Sequence, residues 1–343
     1  MKAAICLVVK NEEIELPYWL AWHKAIGFDS FIIYNDYSDD ATEAVILSLK
    51  TTLDIRYMRN SPNKDLHNIR QVRAYNDAIT KYQDEFDWIA FFDADEYLDL
   101  YGENIKTYLE KKHDASLVAF NWCCVGPNGY LSRPSGAPFL NYRLHGSSDL
   151  YWNRHTKFMI RPKQLLRPIY QVHNAIVRGL SVDSAGRPIE WETEHGGFTK
   201  KSPDWLGGRL IHYQSRSFEH YINRDKTLED VRRDEGDPLH TVVKDKQYNA
   251  VEGKIPEAYI EGFYKWMILL VFCQAKFVSN ILKTENSSFI TELKSFFSPP
   301  DVSIFNPSYT PEKHEIEHLW ISHHKEPGGV FLSYFEKTKQ DFI

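Results

Sequence analysis

Three carboxylates, Asp93, Asp95 and Glu96, end an apolar, aromatic run that reads DWIAFFDADEY over residues 87–97. Carboxylates at the end of a buried strand lose hydration unless a cation or a set of hydrogen bonds replaces the water. The replacement could be a metal ion, a proton shared between acids, or solvent at the strand's mouth. In an extended strand Asp93 and Asp95 face one side while Ala94 and Glu96 face the other, so the two aspartates can share a ligand. Hard oxygen donors with few cations nearby favour Mg2+ or Mn2+, held by one or two carboxylates plus substrate phosphates. Such an ion would stabilise the charge on a departing diphosphate. By itself D-x-D is a weak motif in a chain with 47 acids. Phosphatases of the haloacid type place Thr or Val two residues beyond it, where this chain has Tyr97, and neither a Walker A lysine loop nor G-x-G-x-x-G occurs. A nucleotide sugar remains as the diphosphate substrate.

The elements that must position these acids alternate strand and helix over the first ~125 residues, which predicts a parallel sheet with crossover helices. AAICLVVK (3–10) reads as a first strand, followed by a helix with Pro17 in its first turn and Gly27 at its end. SFIIYND (30–36) is a second strand, and Asp40 and Glu43 stand at capping-box distance before the next helix. LDIRYM (53–58), a helix over 68–82, and a fourth strand over 87–98 complete this half. KNEE, NDYSDD and DADE then all fall at strand ends, where open α/β sheets bind ligands in the crevice at which strand order reverses. Beyond Gly126 the chain shifts to short strands and loops rich in Gly, Pro, His and Trp, read as the substrate side of the same core. RLIHYQSRS (209–217) predicts a last strand feeding a helix, the chain turns helical from about 254, and SFFSPPDVSIFNPSYTPEKH is a Pro-rich linker.

With 343 residues and 43% apolar content the chain can build a substantial core. Its net charge of -6 argues against nucleic acid as a partner. Four cysteines without C-x-x-C spacing point to a reducing compartment. The amino terminus reads as a strand instead of a signal peptide, and the longest apolar stretch, WMILLVFC, falls well short of the ~20 residues of a membrane span. A cytoplasmic protein is expected, with peripheral attachment to the membrane's inner face left open, as is the oligomeric state.

VVKNEEIELPYWLAWHKAIGFDSFIIYNDYSDD, DWIAFFDADEYL, KFMIRP, VHNAIVRG and LIHYQSRSFEHY resemble the bacterial branch of the glycosyltransferase family 2 and family 92 group. The resemblance covers roughly residues 3–232. It implies a GT-A fold, a Rossmann-like, mostly parallel sheet with flanking helices, over 1–235, with nucleotide-sugar binding in 1–125 and the acceptor side in 126–235. Residues 236–343 would form a mostly helical C-terminal extension. It also implies metal-dependent hexosyl transfer from a nucleotide-diphosphate sugar, a UDP-sugar by preference, to a glycan or lipid-linked acceptor in polysaccharide synthesis, with inversion. Lys10, Asn11, Glu12 and Asp36 would contact the nucleoside. Asp93 and Asp95 would hold ribose and metal, and His212 would complete the metal's coordination, which favours Mn2+ over Mg2+. The family's second strand ends closer to Y-D-N-x-S; here Tyr34-Asn35-Asp36 leaves open whether Asn35 or Asp36 reads the base.

Arg70 and Arg73 share a face of the third helix and could meet phosphate. Lys157 and Arg161 share a face of a strand and could reach the diphosphate or acceptor, or simply form an exposed edge. Inverting transfer needs a base for the acceptor hydroxyl; His173 is the choice because histidine titrates near neutral pH, with Glu192, Glu194 and His195 as alternatives. Trp122, Trp152 and Trp191 are candidate acceptor platforms, with core packing as the plainer explanation. Two other functions compete. A nucleotidyltransferase on sugar phosphates would normally open with a Gly-rich loop, and a non-catalytic sugar-nucleotide module would bind nucleotide without metal.

Overall fold

The computed structural model describes residues 1–60, 65–130, 132–192, 196–217, 220, 247–254 and 256–282. Nine strands form the main sheet: β1 (Ala3–Val9), β2 (Ser30–Asn35), β3 (Asp54–Arg59), β4 (Trp88–Phe91), β5 (Glu96–Asp99), β6 (Ala115–Cys124), β8 (Thr156–Ile160), β9 (Leu180–Asp183) and β10 (Arg209–His212). A small ribbon pairs β7 (Leu144–His145) with β11 (Val251–Glu252). The helices are α1 (Leu16–Ile26), α2 (Thr42–Leu49), α3 (His67–Tyr82), α4 (Ile105–Glu110), α5 (Pro138–Asn141) and α6 (Ile260–Leu282).

The sheet runs β3-β2-β1-β4-β8-β6-β10-β5, with β9 beside β6. It is mostly parallel; β8 runs antiparallel to both neighbours and β5 antiparallel to β10. The expected α/β sheet with flanking helices is therefore present, and strand order reverses between β1 and β4. All seven residues of β1 are buried, as a central parallel strand with both faces covered requires. Its alternation divides them: Ala3, Ile5, Leu7 and Val9 join the core under α1 and α2, while Ala4, Cys6 and Val8 join the core under α3. Gly27 closes α1 with φ 110°, a left-handed turn that glycine adopts without strain.

Two local expectations are corrected. The single strand over 87–98 is two strands. After Phe91 the chain leaves the sheet, Glu96 N donates to Asp93 O at 3.1 Å across a turn, and β5 resumes against β10. Aspartates favour turns over ladders, so the acids occupy the break between two strands. The break is held by α1, whose Trp19 and Trp22 indoles donate to Glu96 O (2.7 Å) and Leu98 O (2.8 Å). The capping box before α2 does not form. Glu13, from the loop after β1, accepts from Ala41 N at 2.8 Å, and Glu43 pairs with Arg59 and Tyr57 instead.

α6 packs on α1 and α2, and its Phe263 meets Phe139 of α5 at 4.8 Å. The helix expected after residue 217 and the Pro-rich segment lie outside the described residues. No helix among the described residues is long and apolar enough to cross a membrane. All four cysteines are unbridged thiols.

Candidate active site

The turn between β4 and β5 gathers the acids against a buried cation. Asp93 Oδ2 lies 2.8 Å from Lys157 Nζ, and Asp93 Oδ1 accepts from Gln71 Nε2 at 2.6 Å. Lys157 comes from the start of β8, which runs opposite to β4 and so delivers its first residues to the end where β4 stops. It is wholly buried, not an exposed edge. Arg161, just past the far end of the same strand, donates to Ala115 O at 3.0 Å and lies over the Trp88 ring, so the two cations are parted. Burial pushes the Asp93 carboxyl up, but the Lys157 ammonium outweighs it and holds the group below the usual carboxylate range. Burial also pushes Glu96 well above its ordinary value, and Lys157, 4.0 Å away, does not bring it back. Glu96 accepts from Asp93 N (2.8 Å) and from the Trp122 indole (2.7 Å), which locks the turn.

Asp95 faces β10. His212 Nε2 stands 3.6 Å from Asp95 Oδ2, and Tyr213 N donates to Asp95 O at 2.8 Å. The His212 ring lies 4.2 Å from that of Trp122, which also lies 5.2 Å from His173. His173 Nδ1 bonds Thr156 O at 3.0 Å. Burial, then the Lys157 charge, lower this imidazole to about 4, so the near-neutral titration expected of it is corrected. The structure thus brings Asp93, Asp95, Glu96, Lys157, His173 and His212 together.

At the ends of β1 and β2 the expected nucleoside contacts are largely engaged by other groups of the protein. Asp36 has no exposed surface and accepts from Arg70 Nε and Nη2, His67 Nδ1 and Asn60 Nδ2, each within 2.9 Å. Burial would raise its pKa, but these donors win and lower it to about 2. Asn35 accepts from Ser38 N, and Asn11, in a left-handed conformation at φ 55°, accepts from Asp39 N. Lys10 is exposed. Arg73 is exposed and pairs with Asp65, whereas Arg70, three residues earlier, turns inward to Asp36. Glu12 receives both terminal nitrogens of Arg216 at 3.1 and 3.2 Å; Arg216 also approaches Glu15 (3.9 Å), which holds Arg133 at 2.7 Å. Of the alternative bases, Glu192 pairs with Arg154, and Glu194 and His195 lie outside the described residues. Trp191 packs partly buried against the core under α3.

Gln71, Arg216 and Glu15 were not anticipated. Gln71 carried a signal: it is a polar residue on the buried face of α3, among Ala74, Tyr75 and Ala78. Arg216 lay within the last matched block but nothing in its spacing marked it.

For a divalent cation, Asp95 and His212 supply one oxygen and one nitrogen donor, and His212 Nδ1 is buried with no hydrogen-bond partner among the described residues. That pair fits Mn2+ or Mg2+ completed by diphosphate and water. Asp93 fits less well, since Gln71 and Lys157 occupy both its oxygens. Among the described residues no three His, Cys, Asp or Glu side chains converge as a closed cage.

Residues 5–179, more than half the chain, match the sequence model of glycosyltransferase family 92. This chain belongs to glycosyltransferase family 92. The matched segment begins within β1, runs past β8 and ends before β9, so His212 and Arg216 lie beyond it. The family 92 chain is 26% identical over 176 residues to a glycosyltransferase family 92 protein of Ricinus communis, a stretch that is 47% of this chain and 28% of that relative's length. Among solved structures, residues 1–349 of TarS from S. aureus are 12% identical, cover 95% of this chain and 92% of theirs, and superpose with a TM-score of 0.34. Glucosyl-3-phosphoglycerate synthase from Mycobacterium tuberculosis, solved with Mn2+, UDP and glucosyl-3-phosphoglycerate, is 15% identical over 48% of this chain and 58% of its own, with a TM-score of 0.28.

Proposed function

We propose that this family 92 chain transfers a sugar from a nucleotide-diphosphate donor, UDP-linked by preference, to a glycan or lipid-linked acceptor, with inversion. What supports this most is the crevice itself: the acid-rich ends of β1, β2 and β4 and the histidine end of β10 lie along one edge of the sheet, on both sides of the point where strand order reverses. In this reading Asp95 and His212 hold Mn2+ or Mg2+. The ion supplies Lewis-acid stabilisation of the leaving diphosphate. Lys157 neutralises Asp93 in the same wall. Lys10, Asn11, Glu12 and Asn35 border the nucleoside end, and Asp36 acts on it through Arg70 and His67. His173, neutral at pH 7, accepts the proton of the acceptor hydroxyl as its oxygen attacks the anomeric carbon and the diphosphate leaves. The setting is bacterial surface polysaccharide synthesis in the cytoplasm, at the inner membrane face when the acceptor is lipid-linked.

Lys157 favours a second reading, a nucleotide-binding module that needs no metal, because it already neutralises one aspartate. Calorimetric titration of UDP, GDP and CDP with Mn2+ and with chelator separates the two. Transfer predicts a metal-dependent preference for one base, and equal, metal-free binding favours the module. Asp95→Asn should lower donor hydrolysis roughly 100-fold or more with the fold intact; undiminished turnover removes Asp95 from the chemistry.

A further inference from the structure

We propose that a stair of rings leading from Trp122 to Trp152 is the acceptor subsite, and that it takes a carbohydrate of at least two sugar units. The assignment rests on the glycosyl-transfer reading above. At its inner end, Trp122 is buried, fixed through its indole to Glu96, and in ring contact with both His212 and His173. His155 continues the stair 4.6 Å from Trp122 and 4.9 Å from His173. Trp152 then stacks on His155 with centroids 5.7 Å apart and only 5° between the planes, and Tyr151 stands edge-on to Trp152 at 5.5 Å.

The outer steps open to water: Trp152 is 47% exposed and Tyr151 44%. A large exposed aromatic pair continuous with a polar cluster is the kind of surface that marks a ligand site. The pair is also rigid. Both residues sit in the single turn Tyr151–Arg154, whose Asn153 is fully buried, donates to Ser147 O at 2.7 Å and accepts from Cys124 N at 2.8 Å. A platform held that way loses little side-chain freedom when it is covered.

The chemistry of the steps selects the occupant. None is aliphatic, which disfavours an acyl chain, and a net charge of -6 disfavours a nucleic-acid strand. Flat rings at stepped heights suit the apolar CH faces of successive pyranoses, whose hydroxyls stay at the edges. The sugar accepting the bond would lie beside His173 and His155, over the ring cluster that Trp122 anchors, and the preceding sugar on Trp152.

The test uses the full chain with UDP and Mn2+ present. Mono-, di- and trisaccharides of glucose, galactose, mannose and N-acetylglucosamine are titrated by saturation-transfer NMR against wild type, Trp152→Ala and Trp152→Phe. The expected result is that at least one di- or trisaccharide binds wild type, binds Trp152→Ala about tenfold more weakly, in the range of stacking on one aromatic ring, and largely recovers in Trp152→Phe. Monosaccharide and UDP affinities should be equal in all three proteins. Absence of saccharide binding to a wild type that binds UDP, or equal oligosaccharide binding by Trp152→Ala, overturns the subsite alone. Failure of wild type to bind UDP overturns the parent reading as well.

Discussion

Lys157 Nζ lies 2.8 Å from Asp93 Oδ2 with no part of the lysine side chain exposed. Removing one partner of a buried ion pair strands the other charge, at a cost of about 3–5 kcal/mol. Lys157→Met should lose stability on that scale in urea unfolding. Adding Asp93→Asn should restore part of it, because the stranded carboxylate is gone. Strictly additive losses would show that the two side chains are energetically independent.

Gly197 passes directly over His173. It has φ 80°, and a Cβ placed there would collide with the His173 Cβ. Gly197→Ala should therefore displace the imidazole as well as strain the backbone by about 1–2 kcal/mol. The expected signature is a fall in transfer rate of about tenfold or more, as loss of a positioned proton acceptor implies, with a shift in melting temperature of only a few degrees. An unchanged rate would show that His173 does not serve as the base.

Asp36 ties acid stability to the end of β2. Its pKa is depressed to about 2 in the folded chain, so it contributes stability above its ordinary value near 4 that is lost as pH falls toward 2. The contribution is about 2 kcal/mol at neutral pH. Asp36→Asn should be less stable at pH 7 and approach wild type at pH 2–3, as followed by chemical denaturation. A constant gap across that range would contradict the assignment.

Glu13 has the opposite sign. Burial raises it to about 7, despite the hydrogen bond from Ala41 N, so the fold prefers its protonated form. Its contribution is complete below the ordinary glutamate value and fades as pH rises through 7. Glu13→Gln, which imitates the protonated acid, should match wild type near pH 4.5 and exceed it in melting temperature at pH 8. Parallel pH profiles for the two proteins would rule this out.

The helices and strands of the first half were legible because their apolar periods are long and their stops are explicit, as at Pro17 and Gly27. The end of the 87–98 run was not. Its hydrophobic pattern continues through the acids, and only the partner of β5, a strand more than a hundred residues later, determines that the chain breaks at Phe92. Asp93 and Asp95 were found from residue type at a strand end and His212 from the resemblance; Asp95 and His212 stand 3.6 Å apart, while Asp93 is turned to Lys157 and Gln71. The environment of each was invisible for the same reason β5 was: Lys157 read as reaching the diphosphate or acceptor, or as an exposed edge, and only the antiparallel entry of β8 between β4 and β6 buries it against Asp93. Asp36 was legible as an acid in the right place, but its complete engagement by Arg70, His67 and Asn60 depends on how α3 docks.

β10 slots between β6 and β5, and it carries His212 at its last residue. Until that late strand is in place, β6 and β5 are left with open edges, and Asp95 lacks its histidine neighbour. Completing the sheet and bringing His212 beside Asp95 are thus one step of maturation. A chain interrupted before residue 209 would combine an exposed, sticky border with a crevice that lacks its histidine wall.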